Sequence, residues 1–164
     1  MVNNILKNGI LGGIVAAVVM SAMVFYMKAN PGVQPNTVIG FASMLLAFVF
    51  LIVGVKKDRE RNNGKISFGK AFLVGLEISF IISIIYVLTW LVIFYNFFPD
   101  FIEKYSDMVL KNTNPEDLAE KTTEMNQMKE WYKSPLMIVL LTFMEIFPLG
   151  ILISLIAGLF LKQK

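Results

Sequence analysis

Four stretches of about twenty apolar residues each set the terms on which this chain can fold. A helix rises 1.5 Å per residue, so about 20 residues cross a hydrocarbon core of about 30 Å. Helices are expected over about 5–28, 36–56, 67–98 and 135–161. The first two stretches carry no charge in their apolar parts, and the third and fourth carry one each, Glu77 and Glu145. Pro31 and Pro35 interrupt the chain between the first two, and Lys162 closes the last. With 56% hydrophobic and 16% charged residues, the chain has more apolar surface than one globular core of 164 residues would bury. The expected fold is an all-α polytopic membrane protein, with residues 1–164 forming one four-helix membrane domain. The first stretch exceeds a usual signal core and no small-x-small cleavage site follows it, so it is read as a retained span.

Charge sets the expected orientation. Lys56, Lys57, Arg59, Arg61 and Lys65 crowd one loop, and Lys7, Lys70, Lys162 and Lys164 fall on the same side, against only Asp58 and Glu60. The opposite side has six lysines against eight carboxylates. The positive-inside rule then puts this loop and both termini in the cytoplasm. The basic loop is explained by topology and requires no nucleic acid.

Between the third and fourth spans, 99–133 is too polar to cross but is patterned as two helices. Phe101, Ile102, Tyr105, Met108 and Val109 share one face, and Leu118, Thr122, Met125, Met128 and Tyr132 share another. Asn112-Thr113-Asn114 reads as the turn, with Asn114 as N-cap and Pro115 at the first helical position. A helical hairpin on the extracytoplasmic surface is expected. Trp90, Tyr95, Trp131 and Tyr132 are expected in an interfacial aromatic belt.

Every span also carries small residues four apart, the spacing that lets membrane helices approach closely. They are Gly9, Gly13, Ala17 and Ser21 in the first, Ser43 and Ala47 in the second, Ala71, Gly75, Ser79 and Ser83 in the third, and Gly150, Ser154 and Gly158 in the fourth. They are assigned to helix packing.

Candidate chemistry is confined to the intramembrane carboxylates, because an ionisable group at that depth is costly and marks function by default. Both are expected near the midplane. Glu145 has Thr142 three residues before it and Pro148 three after. Pro148 lacks an N–H, so the carbonyl of Met144 loses its helical partner. Together these groups form a candidate proton or cation site, with Glu77 as a second member. The chain has no histidine and no cysteine, which removes the commonest general base, the thiolate nucleophile and the usual metal ligands. No metal, cofactor or catalytic residue is expected, and the chain is read as non-catalytic.

Three runs carry a family resemblance: Ile66-Ser67-Phe68-Gly69-Lys70-Ala71-Phe72, Tyr95-Asn96-Phe97-Phe98-Pro99-Asp100-Phe101 and Thr142-Phe143-Met144-Glu145-Ile146-Phe147-Pro148-Leu149-Gly150. In this order, with the acidic hairpin among them, the chain resembles an uncharacterised membrane family of Bacteroidota, domain of unknown function 4199. The resemblance implies a four-span inner-membrane protein and no activity. Three functions are then expected, in this order. The first is an interaction or assembly subunit for another membrane protein. The second is proton or small-cation movement through Glu145 with Glu77. The third is binding of lipid or a hydrophobic ligand under the outer hairpin. The partners expected are membrane lipids and a membrane-protein partner or a second copy.

Overall fold

A computed structural model describes residues 1–30 and 37–163; Pro31, Pro35 and Lys164, which entered the sequence reading, lie outside them. The described residues form six helices: α1 Val2–Ala29, α2 Thr37–Arg61, α3 Phe68–Phe97, α4 Phe101–Lys111, α5 Leu118–Trp131 and α6 Pro135–Leu161. Four of them, α1, α2, α3 and α6, are long and apolar enough to cross a membrane. No strand occurs among the described residues.

Local chemistry sets the ends. Ser67 caps α3 by accepting the Lys70 amide at 3.3 Å, and Pro135 opens α6 where a missing N–H costs nothing. At the far end of α3, the Lys28 ammonium donates to the Phe97 carbonyl at 2.5 Å, supplying a cation where the helix dipole is negative. Two boundaries differ from the sequence reading. α2 continues to Arg61, so Lys56, Lys57, Arg59 and Arg61 lie on its last turns and not in a loop. α5 begins at Leu118, because the Asp117 amide turns back onto the Asn114 carbonyl at 3.0 Å. Residues 115–117 are thus a tight turn that precedes the helix.

α3 is the central element and packs most extensively on α6 and α1. Small residues stand at the closest approaches. A Cβ on Gly9 would lie 2.7 Å from the Ile81 Cβ, and one on Gly75 would lie 2.9 Å from the Ser154 Oγ. Gly150 faces Ser79 in the same seam, and Gly158 faces Phe68. Ser79, Ser83 and Ser154 are fully buried there. The Ser83 and Ser154 hydroxyls are satisfied by helix carbonyls one turn back. Gly13 meets Ile85, while Ala17 and Ser21, further along α1, are half-buried.

Both termini and the α2–α3 loop share one end. Ile66 and Gln163 exchange backbone hydrogen bonds of 3.0 and 2.9 Å, pinning the C-terminal segment to the loop. Asn4 donates to the Gly54 carbonyl at 2.8 Å. Gly64 takes φ +79 at the loop, a conformation glycine adopts without strain. At this end Asp58 is buried, with Lys70 at 3.5 Å and the Asn62 amide at 3.4 Å from its carboxylate. Lys70 is 39% exposed, so removing Asp58 leaves a solvated cation, whereas removing Lys70 leaves a buried anion. Lys70→Met is therefore expected to lower stability by about 2 kcal/mol and Asp58→Asn by less than half as much. Unfolding curves in mild detergent check the order.

Candidate functional site

At the other end, α4 and α5 form an antiparallel hairpin that reaches the spans through side chains. Aromatic rings make the joint. Trp90 of α3 meets Phe101 of α4 edge-on at 4.8 Å, and Phe94 meets Tyr132 at 5.5 Å. Phe101 also packs on Phe98 at 5.7 Å and stacks on Tyr105 at 5.8 Å. Of the four residues assigned to an aromatic belt, Tyr95 and Trp131 are exposed, but Trp90 is buried and Tyr132 half-buried. The latter two hold the hairpin down, because ring-on-ring contact offers them more than the headgroup layer does.

Beneath the hairpin lies a cavity of about 380 Å³. Its walls come from the hairpin-end halves of all four long helices. Met20, Met23 and Met27 of α1 line one side at i, i+3 and i+7, and Gly40, Ser43 and Met44 of α2 line the next. Tyr86 and Trp90 of α3 and Leu141, Thr142 and Glu145 of α6 complete it, and Phe101, Tyr105, Met128 and Tyr132 of the hairpin form the roof. Towards the termini the interior closes on Phe48, Leu51, Ile78, Ile82 and Ile146, none more than 1% exposed.

Glu145 is the one charged side chain among the described lining residues. Its side chain is exposed on the edge of the void, and Tyr86 lines the same space. In the roof, the Tyr132 hydroxyl lies by the Trp90 indole. Burial first, and the Glu145 carboxylate second, push its pKa up to about 12, so it presents a neutral hydroxyl at physiological pH. No lysine or arginine lines the space among the described residues. The lysines that adjoin the joint in sequence are engaged elsewhere, Lys104 with Asp100 and Lys133 with Glu130, each at 2.6 Å.

The sequence-derived site is spread out by this geometry. Thr142 borders the cavity with Glu145, but its hydroxyl donates to the Ile138 carbonyl at 2.8 Å. Pro148 is exposed and lies outside the lining. Residues three before and three after a given position diverge by about 120° around a helix, so Thr142 turns inward as Pro148 turns outward. Glu77 stands apart from Glu145. It is exposed on the outer face of α3 beside Leu73 (55%) and Phe80 (48%). It also lies nine residues below Tyr86, about 14 Å along the axis. No described residue pairs with it. Among the described residues no group of three acidic side chains is close enough to hold a metal ion.

The residues that sequence reasoning missed are Tyr86, Trp90 and the methionines. Two signals were present: a tyrosine in the middle of an apolar span, and the i, i+3, i+7 spacing of Met20, Met23 and Met27.

A family model described as "Protein of unknown function (DUF4199)" matches residues 7–163. No curated protein and no solved structure matches the chain.

Proposed function

Because the chain belongs to the DUF4199 family, whose description carries no activity, we propose a function from the cavity itself: this multi-pass protein binds a small hydrophobic ligand between its spans, beneath the hairpin. The observation that carries this reading is a space of about 380 Å³ with methionine and aromatic walls and a single polar corner at Glu145 and Tyr86. That volume and that balance of lining suit ligand sites, which are mostly apolar with a few placed polar groups. Methionine adds walls that adapt to the shape of the occupant. We orient the site with the hairpin outside and the basic segment and termini in the cytoplasm of a bacterial inner membrane, on the strength of the lysine and arginine distribution. The ligand then comes from the outer leaflet or the space above it.

The test uses an obstruction. Gly40 lines the cavity, and a Cβ built on it meets nothing within 4 Å, so Gly40→Phe adds a ring at the cavity wall without a clash at its base. Native mass spectrometry of protein released from its membrane should show a bound small molecule on the wild type and at least tenfold less on Gly40→Phe. Equal adduct on both proteins, or none on either, would count against the reading.

One observation favours an assembly role in addition. Glu77 faces outward at hydrocarbon depth with no partner among the described residues, and a carboxyl there is costly unless another helix supplies a hydrogen bond. Mild-detergent purification should retain a stoichiometric partner or second copy on the wild type and lose most of it on Glu77→Leu. Retention unchanged by the substitution would argue against the role. Passage of protons or cations through Glu145 has less support, since the packed isoleucine, phenylalanine and leucine layer lies directly below it.

A further inference from the structure

We infer that the ligand is a lipophilic organic cation, an alkyl- or arylammonium, whose charged group sits between Glu145 and the aromatic walls. This inference rests on the binding role proposed above. Glu145 is the only charged residue among the described lining, and no lysine or arginine lines the space with it. At hydrocarbon depth a carboxyl stays ionised only with an opposite charge or full hydrogen bonding beside it. The described lining offers no cation, which leaves the place of the counter-charge to the ligand.

The walls fit the same chemistry. Tyr86, Trp90, Tyr105 and Tyr132 all border the cavity, and aromatic faces attract cations through their ring quadrupoles. Recognition of quaternary ammonium groups by aromatic cages is the general case. An anionic ligand would meet both the carboxylate and the negative ring faces. The approach carries the same sign, with eight carboxylates against five lysines over 99–134, so the hairpin draws cations to its end of the molecule.

The experiment compares phenyltrimethylammonium with its uncharged isostere tert-butylbenzene. Both are measured by equilibrium dialysis against the full chain in nanodiscs, with uptake by empty nanodiscs subtracted. The wild type should bind the ammonium at least tenfold more tightly than the isostere. Glu145→Gln should bring the two within about threefold of each other. Equal affinities on the wild type would overturn the cation and leave the hydrophobic site standing. Binding of neither probe would overturn both readings. A preference that persists in Glu145→Gln would remove Glu145 from recognition and overturn the assignment. The wild-type comparison decides the matter even where the variant fails to fold.

Discussion

Leucine at position 150 is expected to abolish recovery of folded protein. The α3–α6 seam is built on contact between Gly150 and Ser79: a Cβ at 150 would lie 2.8 Å from the Ser79 Cβ and 3.0 Å from the Phe48 ring. Neither neighbour has room to retreat, because Ser79 and Phe48 are themselves fully buried. The helices would have to separate, losing the close packing that holds membrane helices together when hydrophobicity cannot. Overpacking of a well-filled core costs about 1–3 kcal/mol, and a branched four-carbon side chain in this seam belongs at or above the top of that range. Gly69→Ala is the matched control, since its Cβ would meet nothing within 4 Å; it should be neutral or slightly stabilising. Size-exclusion profiles and thermal unfolding in detergent distinguish the two. A monodisperse Gly150→Leu protein with wild-type melting would refute the packing account.

Phe101→Ala should release the hairpin and leave the four spans intact. Phe101 is the ring that joins the two layers, touching Trp90 of α3, Phe98 at the joint, Tyr105 on its own helix and Tyr132 at the end of α5. Removing a packed phenylalanine costs about 3 kcal/mol. The hairpin has few other attachments to the spans, so most of that cost falls on docking. The expected result is much faster hydrogen exchange over α4 and α5 and easier cleavage by protease at the 112–117 turn. Exchange in α3 and α6 should be unchanged below the joint. An equal rise over the whole chain would mean that the hairpin and the bundle unfold as one unit.

The spans and the hairpin were legible because hydropathy and length decide them locally: apolar runs of the right length have few alternatives in a bilayer. The site was legible only where a residue was chemically out of place. Glu145 stood out as a carboxylate in an apolar run, and Thr142 as its neighbour. Pro148 drew attention for the same reason, but sequence spacing alone did not reveal that it turns away from the cavity. Trp90 and Tyr132 were assigned to the membrane interface, where amphipathic rings commonly sit; their contacts with Phe101 and Phe94 depend on how the hairpin folds back, which no local pattern encodes. The cavity itself was the least legible feature. Its walls come from all four spans and the hairpin, so it is a property of the assembled bundle. Glu77 shows the converse. Its offset from the small-residue stripe already turned it away from the seam, and its exposure follows from that offset.

The central claim is that a hydrophobic molecule occupies the space under the hairpin, and Trp90 is placed to report it. The chain has two tryptophans, and Trp131 is exposed outside the cavity lining, so Trp131→Phe leaves Trp90 as the sole tryptophan, read by selective tryptophan excitation. Titration of this protein in nanodiscs with the quencher 10-bromodecan-1-ol should give saturable loss of Trp90 emission, and adding Gly40→Phe should remove the saturable part. Quenching that rises linearly with the quencher content of the bilayer, identical with and without Gly40→Phe, would contradict the account.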